Sequence, residues 1–233
     1  GKQYNDCHHE VLFKLLTIRN NALKWVEPDD FYRLQCQELT WRKDCTVNFS
    51  HTISPLEIKL AKIEQDVLNS FKNYVVIQLS SNDGVKCWGY DNYVLLCKKI
   101  LDKTNYEIVI FDWPYAPKFE LKHERIHDCV GNSLFFNLST IKNAKLLIAP
   151  DSWSKYVARW YNIPQILMCC ELSYMQPKEM FESCFGEIYL QNNVKILGIG
   201  SGNLKDLNNI KLKKDIKKIS VEEVFENIVK INN

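Results

Sequence analysis

From Tyr74 onward, short apolar runs alternate with longer stretches whose apolar residues recur at helical spacing, and this alternation constrains the fold more than any other feature of the chain. "YVVIQLS" (74–80), "YEIVIF" (106–111), "KLLIAP" (145–150) and "PQILMCC" (164–170) read as strands buried on both faces, with "ERIHDC" as a short one and "EIYLQ" (187–191) as a further candidate. Between them, "DNYVLLCKKILDKT" gathers Tyr93, Leu96, Cys97, Ile100 and Leu101 on one helical face. "SLFFNLSTIKNA" (133–144) and "WSKYVARWYN" have helical spacing too, the latter stopping at Asn162-Ile163-Pro164. "SVEEVFENIVKIN" (220–232) reads as a helix opened by Ser220, with Glu223 in capping-box register. Strand, loop and helix repeated in this order predict a doubly wound, Rossmann-like parallel sheet with right-handed crossovers.

The first seventy residues lack that alternation. "HHEVLFKLLTIRNNALKW" and "SPLEIKLAKIEQDVLNSF" read as helices, the second with Ser54 as N-cap and Pro55 at its first position. The expected organisation is a smaller, mainly helical segment over 1–73 and a Rossmann-like domain over 74–233.

Composition excludes several classes. The chain has 30 Lys and Arg against 28 Asp and Glu, a net charge of +2 that leaves no nucleic-acid footprint. "KLKKDIKK" (211–218) reads as a solvated charged face. Nine cysteines, odd in number and without CxxC spacing, read as reduced thiols of a cytoplasmic protein. Cys7, His8 and His9 stand beside Asp6 without a second ligand pair at zinc-like spacing, so no metal site is expected. No apolar run approaches the roughly 20 residues that span a bilayer, and the N-terminus has no signal-peptide pattern; no integral membrane segment is expected, while peripheral membrane contact stays open.

In an open parallel sheet, ligands bind beyond the carboxyl ends of the strands. Two segments should meet there: "SSNDGVKCW" (80–88), after the first strand, and Asp151-Ser152, after "KLLIAP". Asp151 and Ser152 also stand at a helix start, whose exposed N–H groups suit phosphate oxygens; an N-cap role for Asp151 accounts for the same position. Likewise, Lys86 is accounted for as an ordinary exposed lysine and Trp88 as a hydrophobic staple before the next helix; the combination of these residues with Asp151 and Ser152 is what points to a ligand. "LGIGSGNL" (197–204) imitates a dinucleotide loop, but only about thirty residues follow it, so a turn-rich connection is the better reading.

The stretches "VVIQLSSNDGVKCWGYDNYVLLCKKIL", "IHDCVGNSLFFNLSTIKNAKLLIAPDSWSKYVARWYNIPQI" and "ISVEEVFENIV" together resemble the C-terminal, donor-binding half of the heptosyltransferase-like glycosyltransferases, glycosyltransferase family 9, over residues 74 to 232. Lys86-Cys87-Trp88 matches the family's Lys-x-Trp, and Asp151-Ser152 matches its Asp-Ser/Thr-Gly turn. The resemblance implies a GT-B arrangement and an inverting, metal-independent transfer of sugar from a nucleotide-diphospho-sugar to a glycan or other hydroxyl acceptor, with no further cofactor. It implies 74–233 as the nucleotide-sugar-binding domain with 1–73 as a candidate reduced acceptor-side domain, and passes the donor contacts to Lys86, Asp151 and Ser152, with Lys86 and Asp151 expected as catalytic; Ser80, Ser81, Asn82, Trp88, Trp153 and Glu171, placed by the loops and strand ends around them, complete the expected donor site. Asp83 and Asp112 fall at strand ends as well and compete with Glu171 for sugar hydroxyls or the role of base.

The chain departs from the family in three places. Trp153 replaces the family's glycine, which should narrow the pocket, and Tyr156 replaces its usual histidine. About seventy residues are too few for the N-terminal domain that supplies the acceptor site and the base. The alternative from another class is a non-catalytic nucleotide-sugar-binding or assembly module derived from a GT-B enzyme; a methyltransferase-like nucleotide enzyme is the third.

Overall fold

The structure, a computed structural model, describes residue 60 and residues 62–81, 83–112, 116 and 118–231. The helices expected near the N-terminus, the Ser54-Pro55 start, Cys7, His8 and His9 lie outside these residues, as does Asn82 of the expected donor site.

Six parallel strands form one sheet in the order β3-β2-β1-β4-β5-β6, with β1 Tyr74–Gln78, β2 Glu107–Phe111, β3 Ile126–Asp128, β4 Leu146–Pro150, β5 Gln165–Met168 and β6 Val194–Leu197. Every residue of β1, β4 and β5 is buried, which is why these strands read as unbroken apolar runs. The sheet reverses its winding direction between β1 and β4, which pair through Val75–Leu146, Val76–Leu147 and Ile77–Ile148. A doubly wound sheet opens a crevice at such a point, beyond the C-terminal strand ends.

Helices flank the sheet in two groups. Helix α2 (Tyr90–Lys103) packs with the C-terminal helix α5 (Val221–Ile231). Helix α3 (Leu134–Lys142) packs with α4 (Ser154–Trp160) and with α1 (Lys62–Ser70). Chain contacts cluster into two units, and the one holding the sheet comprises Ile58–Lys178 and Glu187–Asn233. That unit begins before Asn73 and takes in α1, where Glu64 accepts a 2.6 Å bond from Ser133 Oγ and Phe71 stacks edge-on against Tyr74. No helix among the described residues is long and apolar enough to cross a membrane.

Local expectations fare unevenly. Ser220 caps α5 by accepting from the Glu223 N–H at 3.1 Å, while the Glu223 carboxylate turns to Lys213 at 2.8 Å. Helix α4 ends where Asn162 takes φ 54°, with the Ile163 N–H returning to the Ala158 carbonyl at 2.8 Å before Pro164 prevents any continuation. The strand expected at 187–191 is instead a 3-10 helix, Gly186–Leu190, and β6 follows it. An alternating strand would bury Leu190 beside Ile188, but Leu190 is 60% exposed.

The glycine-rich "LGIGSGNL" turns the chain from β6 into a small antiparallel pair, β7 (Ile199–Ser201) with β8 (Lys211–Leu212). Gly198 has φ +99°, and a Cβ there would stand 1.9 Å from the Cys169 carbonyl oxygen. The glycine serves close backbone approach to the chain beyond β5, which fits the reading of a turn-rich connection.

Candidate functional site

Beyond the carboxyl end of β1 the chain makes a short, heavily bonded loop. Gln78, the last residue of β1, is buried, and its Nε2 donates at 2.8 Å both to the Ser80 carbonyl and to Ser152 Oγ. One side chain thereby ties the β1 loop to the β4 loop. Ser81 Oγ donates at 3.0 Å to the Asp151 carbonyl, a second tie between them. Ser80 Oγ donates to Asp112, at the end of β2. Asp83 then accepts from the Val85 N–H at 3.1 Å and opens a 3-10 turn over Gly84–Lys86, while its other oxygen accepts from Tyr174 at 3.0 Å. The Cys170 thiol, just past β5, donates to the Val85 carbonyl at 3.4 Å.

This turn points Lys86 at the end of β4. Lys86 Nζ lies 2.7 Å from Asp151 Oδ2, and Lys155 Nζ contacts the other oxygen, Oδ1. Asp151 is therefore a buried carboxylate shared by two ammonium groups, with side-chain exposures of 4% for Asp151, 3% for Lys155 and 16% for Lys86. Burial alone would raise its carboxyl; Lys155 and Lys86 outweigh that and hold it at about 2. For Lys86 the balance also falls on the side of charge: burial pulls its ammonium down, and Asp151 more than offsets the pull, so it is raised. The cluster carries one net positive charge at the edge of the sheet.

Asp151 does not act as the N-cap. Helix α4 begins at Ser154, the cap position falls on Trp153 without a side-chain bond, and both Asp151 carboxylate oxygens go to lysines. Trp153 sits in ordinary right-handed backbone (φ −59°), where no glycine is required. Its ring packs 5.8 Å from Phe111 of β2. Tyr156 lies beneath the Lys155 ammonium, 4.7 Å from ring centroid to Nζ.

Ser80, Ser81, Lys86, Asp151, Ser152 and Trp153 thus share the edge where β1, β2 and β4 end, joined by these bonds and contacts. Trp88 faces elsewhere: it is fully buried, edge-on to Tyr93 at 5.0 Å, with Nε1 donating to the Ile219 carbonyl at 2.8 Å. Glu171 is exposed and joins the framework through its backbone N–H, bonded to the Lys213 carbonyl at 2.9 Å. Lys155 and Gln78 belong to the web and were not singled out from the sequence as site residues. Lys155 stands four residues after Asp151, the spacing that pairs opposite charges, so a signal existed. Gln78 gave none, because its partner Ser152 is 74 residues away.

No family model matches the sequence, and no curated protein matches it closely. Solved structures do match by shape. A glycosyl transferase family 9 protein from Veillonella parvula aligns with TM-score 0.56 and 14% identity, over 93% of this chain and 64% of that one. The E. coli ADP-heptose LPS heptosyltransferase II aligns with TM-score 0.53 and 15% identity, over 74% of this chain and 52% of that one. The chain therefore spans between half and two thirds of the length of these two structures. Strand order, winding and shape together show a doubly wound, Rossmann-like α/β fold similar to that of these two glycosyltransferase structures.

Proposed function

We propose that the chain is a glycosyltransferase, or the donor-binding part of one, that takes a nucleotide-diphospho-sugar at the C-terminal edge of the sheet and passes the sugar, with inversion, to an acceptor hydroxyl. One observation carries the reading: a lysine with a partly exposed side chain, Lys86, is held at the end of β4, which pairs with β1, inside a cluster of net positive charge. The likeness of fold to glycosyltransferases supports it.

Breaking the bond between sugar and diphosphate leaves negative charge on the departing phosphate oxygen. Lys86 supplies an opposite charge close to where that oxygen would lie, the task a divalent cation performs in other transferases. Trp153, packed on Phe111, offers an apolar wall beside it. Asp151 is assigned as an anchor for the lysines rather than as the base, because a carboxyl held at about 2 accepts a proton poorly at neutral pH. The acceptor and a cytoplasmic location belong to the same proposal; the free, largely buried thiols Cys97, Cys129, Cys169 and Cys170 suit a reducing compartment.

Release of nucleoside diphosphate from ADP-, UDP- and GDP-sugars, with and without candidate hydroxyl acceptors, tests the reading. The expected result is turnover of one donor class that falls about 10- to 100-fold in Lys86→Ala, the size of losing a charge-assisted contact. Tight donor binding without turnover would instead favour the binding module.

A further inference from the structure

The proposed chemistry uses Lys86 directly and gives the second lysine, Lys155, no task of its own. A single carboxylate needs one counter-ion, yet Asp151 has two, and they differ in placement. Lys86 belongs to a surface loop and reaches Asp151 across 65 residues of sequence, with 16% of its side chain exposed. Lys155 belongs to α4, one helical turn beyond Asp151, with 3% of its side chain exposed and its ammonium over the Tyr156 ring. One ammonium can leave for solvent or ligand; the other cannot move without unpacking the helix.

We infer that Lys155 is a positioning residue, a permanent counter-ion that keeps Asp151 charged and in place when Lys86 turns away to a phosphate of the bound donor. Without it, a phosphate could recruit Lys86 only by stripping a buried carboxylate of its sole partner, a change that a buried charge resists strongly. Such a carboxylate has two outcomes: it retains Lys86, so the donor binds weakly, or it takes up a proton as Lys86 leaves. Asp151 has Lys86, Lys155 and the Cys169 thiol around it, and Lys86 has Asp151, Lys155, Tyr174 and the Cys170 thiol; beyond these, Asp83 faces both Tyr174 and Cys170, and Asp215 faces Cys170. Burial drives the Cys169 and Cys170 thiols up, so neither supplies negative charge near neutrality.

The inference rests on the donor-site reading, and calorimetric titration with ADP-glucose, UDP-glucose and GDP-mannose separates the two. The diphosphate diesters of these probes do not titrate near neutral pH, so any proton taken up belongs to the protein. In wild type the tightest of them should bind without proton uptake, and about 10- to 100-fold more weakly in Lys86→Met. Lys155→Met, close in length and shape, should weaken binding by about tenfold or more, with proton uptake growing as pH falls from about 8 to about 6. Adding Asp151→Asn to Lys155→Met should restore affinity to within about threefold of wild type, because no carboxylate is left to hold Lys86 back or take a proton. A Lys155 that merely supported the fold, or itself touched the phosphate, would show no such rescue, and its absence overturns the inference. So does unchanged binding in Lys155→Met while Lys86→Met is impaired. If no probe binds, or Lys86→Met binds as wild type, the donor-site reading fails and this inference with it. Should Lys155→Met alone not fold, Asp151→Asn is compared with the Asp151→Asn, Lys155→Met pair. Affinities within about threefold support the inference and a tenfold loss overturns it.

Discussion

Asp151 holds two ammonium groups on one buried carboxylate, so its removal should be felt first as a loss of stability. Asp151→Asn removes the carboxylate shared by Lys86 and by Lys155, whose side chain is 3% exposed, and unfolding by denaturant at pH 7 should show a loss of about 3–5 kcal/mol. An asparagine would cap a helix about as well as an aspartate, so a loss of this size separates the ion cluster from an N-cap. The pH dependence has a definite sign. The folded-state carboxyl lies at about 2, below its ordinary value of about 3.9 in an unfolded chain, so its contribution is present above about pH 4 and is lost as pH falls through about 2. Wild type should therefore lose stability over that window more steeply than Asp151→Asn, and the gap between them should narrow by on the order of 2 kcal/mol. Equal stability of the two proteins at pH 7 would contradict the cluster. Asp151 was legible in the sequence because an acid ending an apolar run and opening a helix is a recognisable pattern. Its partners were less so: Lys155 looked like one more charge on a helix, and Lys86 is brought near only when β1 and β4 pair.

At the scale of elements, burial explains both what the sequence revealed and what it concealed. Strands buried on both faces announce themselves as apolar runs, and β1, β2, β4 and β5 lie within the stretches expected for them. "EIYLQ" also carries a short apolar run, yet its first four residues fall in the 3-10 helix Gly186–Leu190, since a run this short does not distinguish a strand from a tight turn. Trp88 shows the same limit for a side chain. Its buried place against Tyr93 and the Ile219 carbonyl depends on a segment 131 residues away. The glycine-rich connection after β6 gives an element-scale prediction. Gly198→Ala would drive a Cβ into the Cys169 carbonyl at a left-handed φ, and should destabilise the protein by about 3 kcal/mol or more. At Gly200 a Cβ would meet only ordinary contacts at 3.6 Å, so Gly200→Ala should stay within about 1 kcal/mol of wild type. Equal effects in chemical denaturation would mean that the glycines serve something other than backbone approach.

For the whole molecule, the sheet order β3-β2-β1-β4-β5-β6 places the two loops that carry the site side by side, although they are far apart in sequence. The alternation of strand and helix was enough to expect a doubly wound sheet, and the resemblance of the Lys-x-Trp and Asp-Ser segments was enough to expect its kind. The bonding within the edge was not legible, because it depends on loop geometry set by partners such as Gln78 and Asp83. The central claim is that Lys86 receives the diphosphate of a sugar nucleotide at this edge. Thermal or denaturant unfolding of wild type and Lys86→Ala, each with the same panel of ADP-, UDP- and GDP-sugars, tests it most directly. At a concentration of about 100 times its Kd, the cognate donor should stabilise wild type by about 2.7 kcal/mol. A tenfold loss of affinity in Lys86→Ala should cut that gain to about 1.4 kcal/mol at the same concentration. No stabilisation of wild type by any sugar nucleotide, or an undiminished gain in Lys86→Ala, would contradict the account.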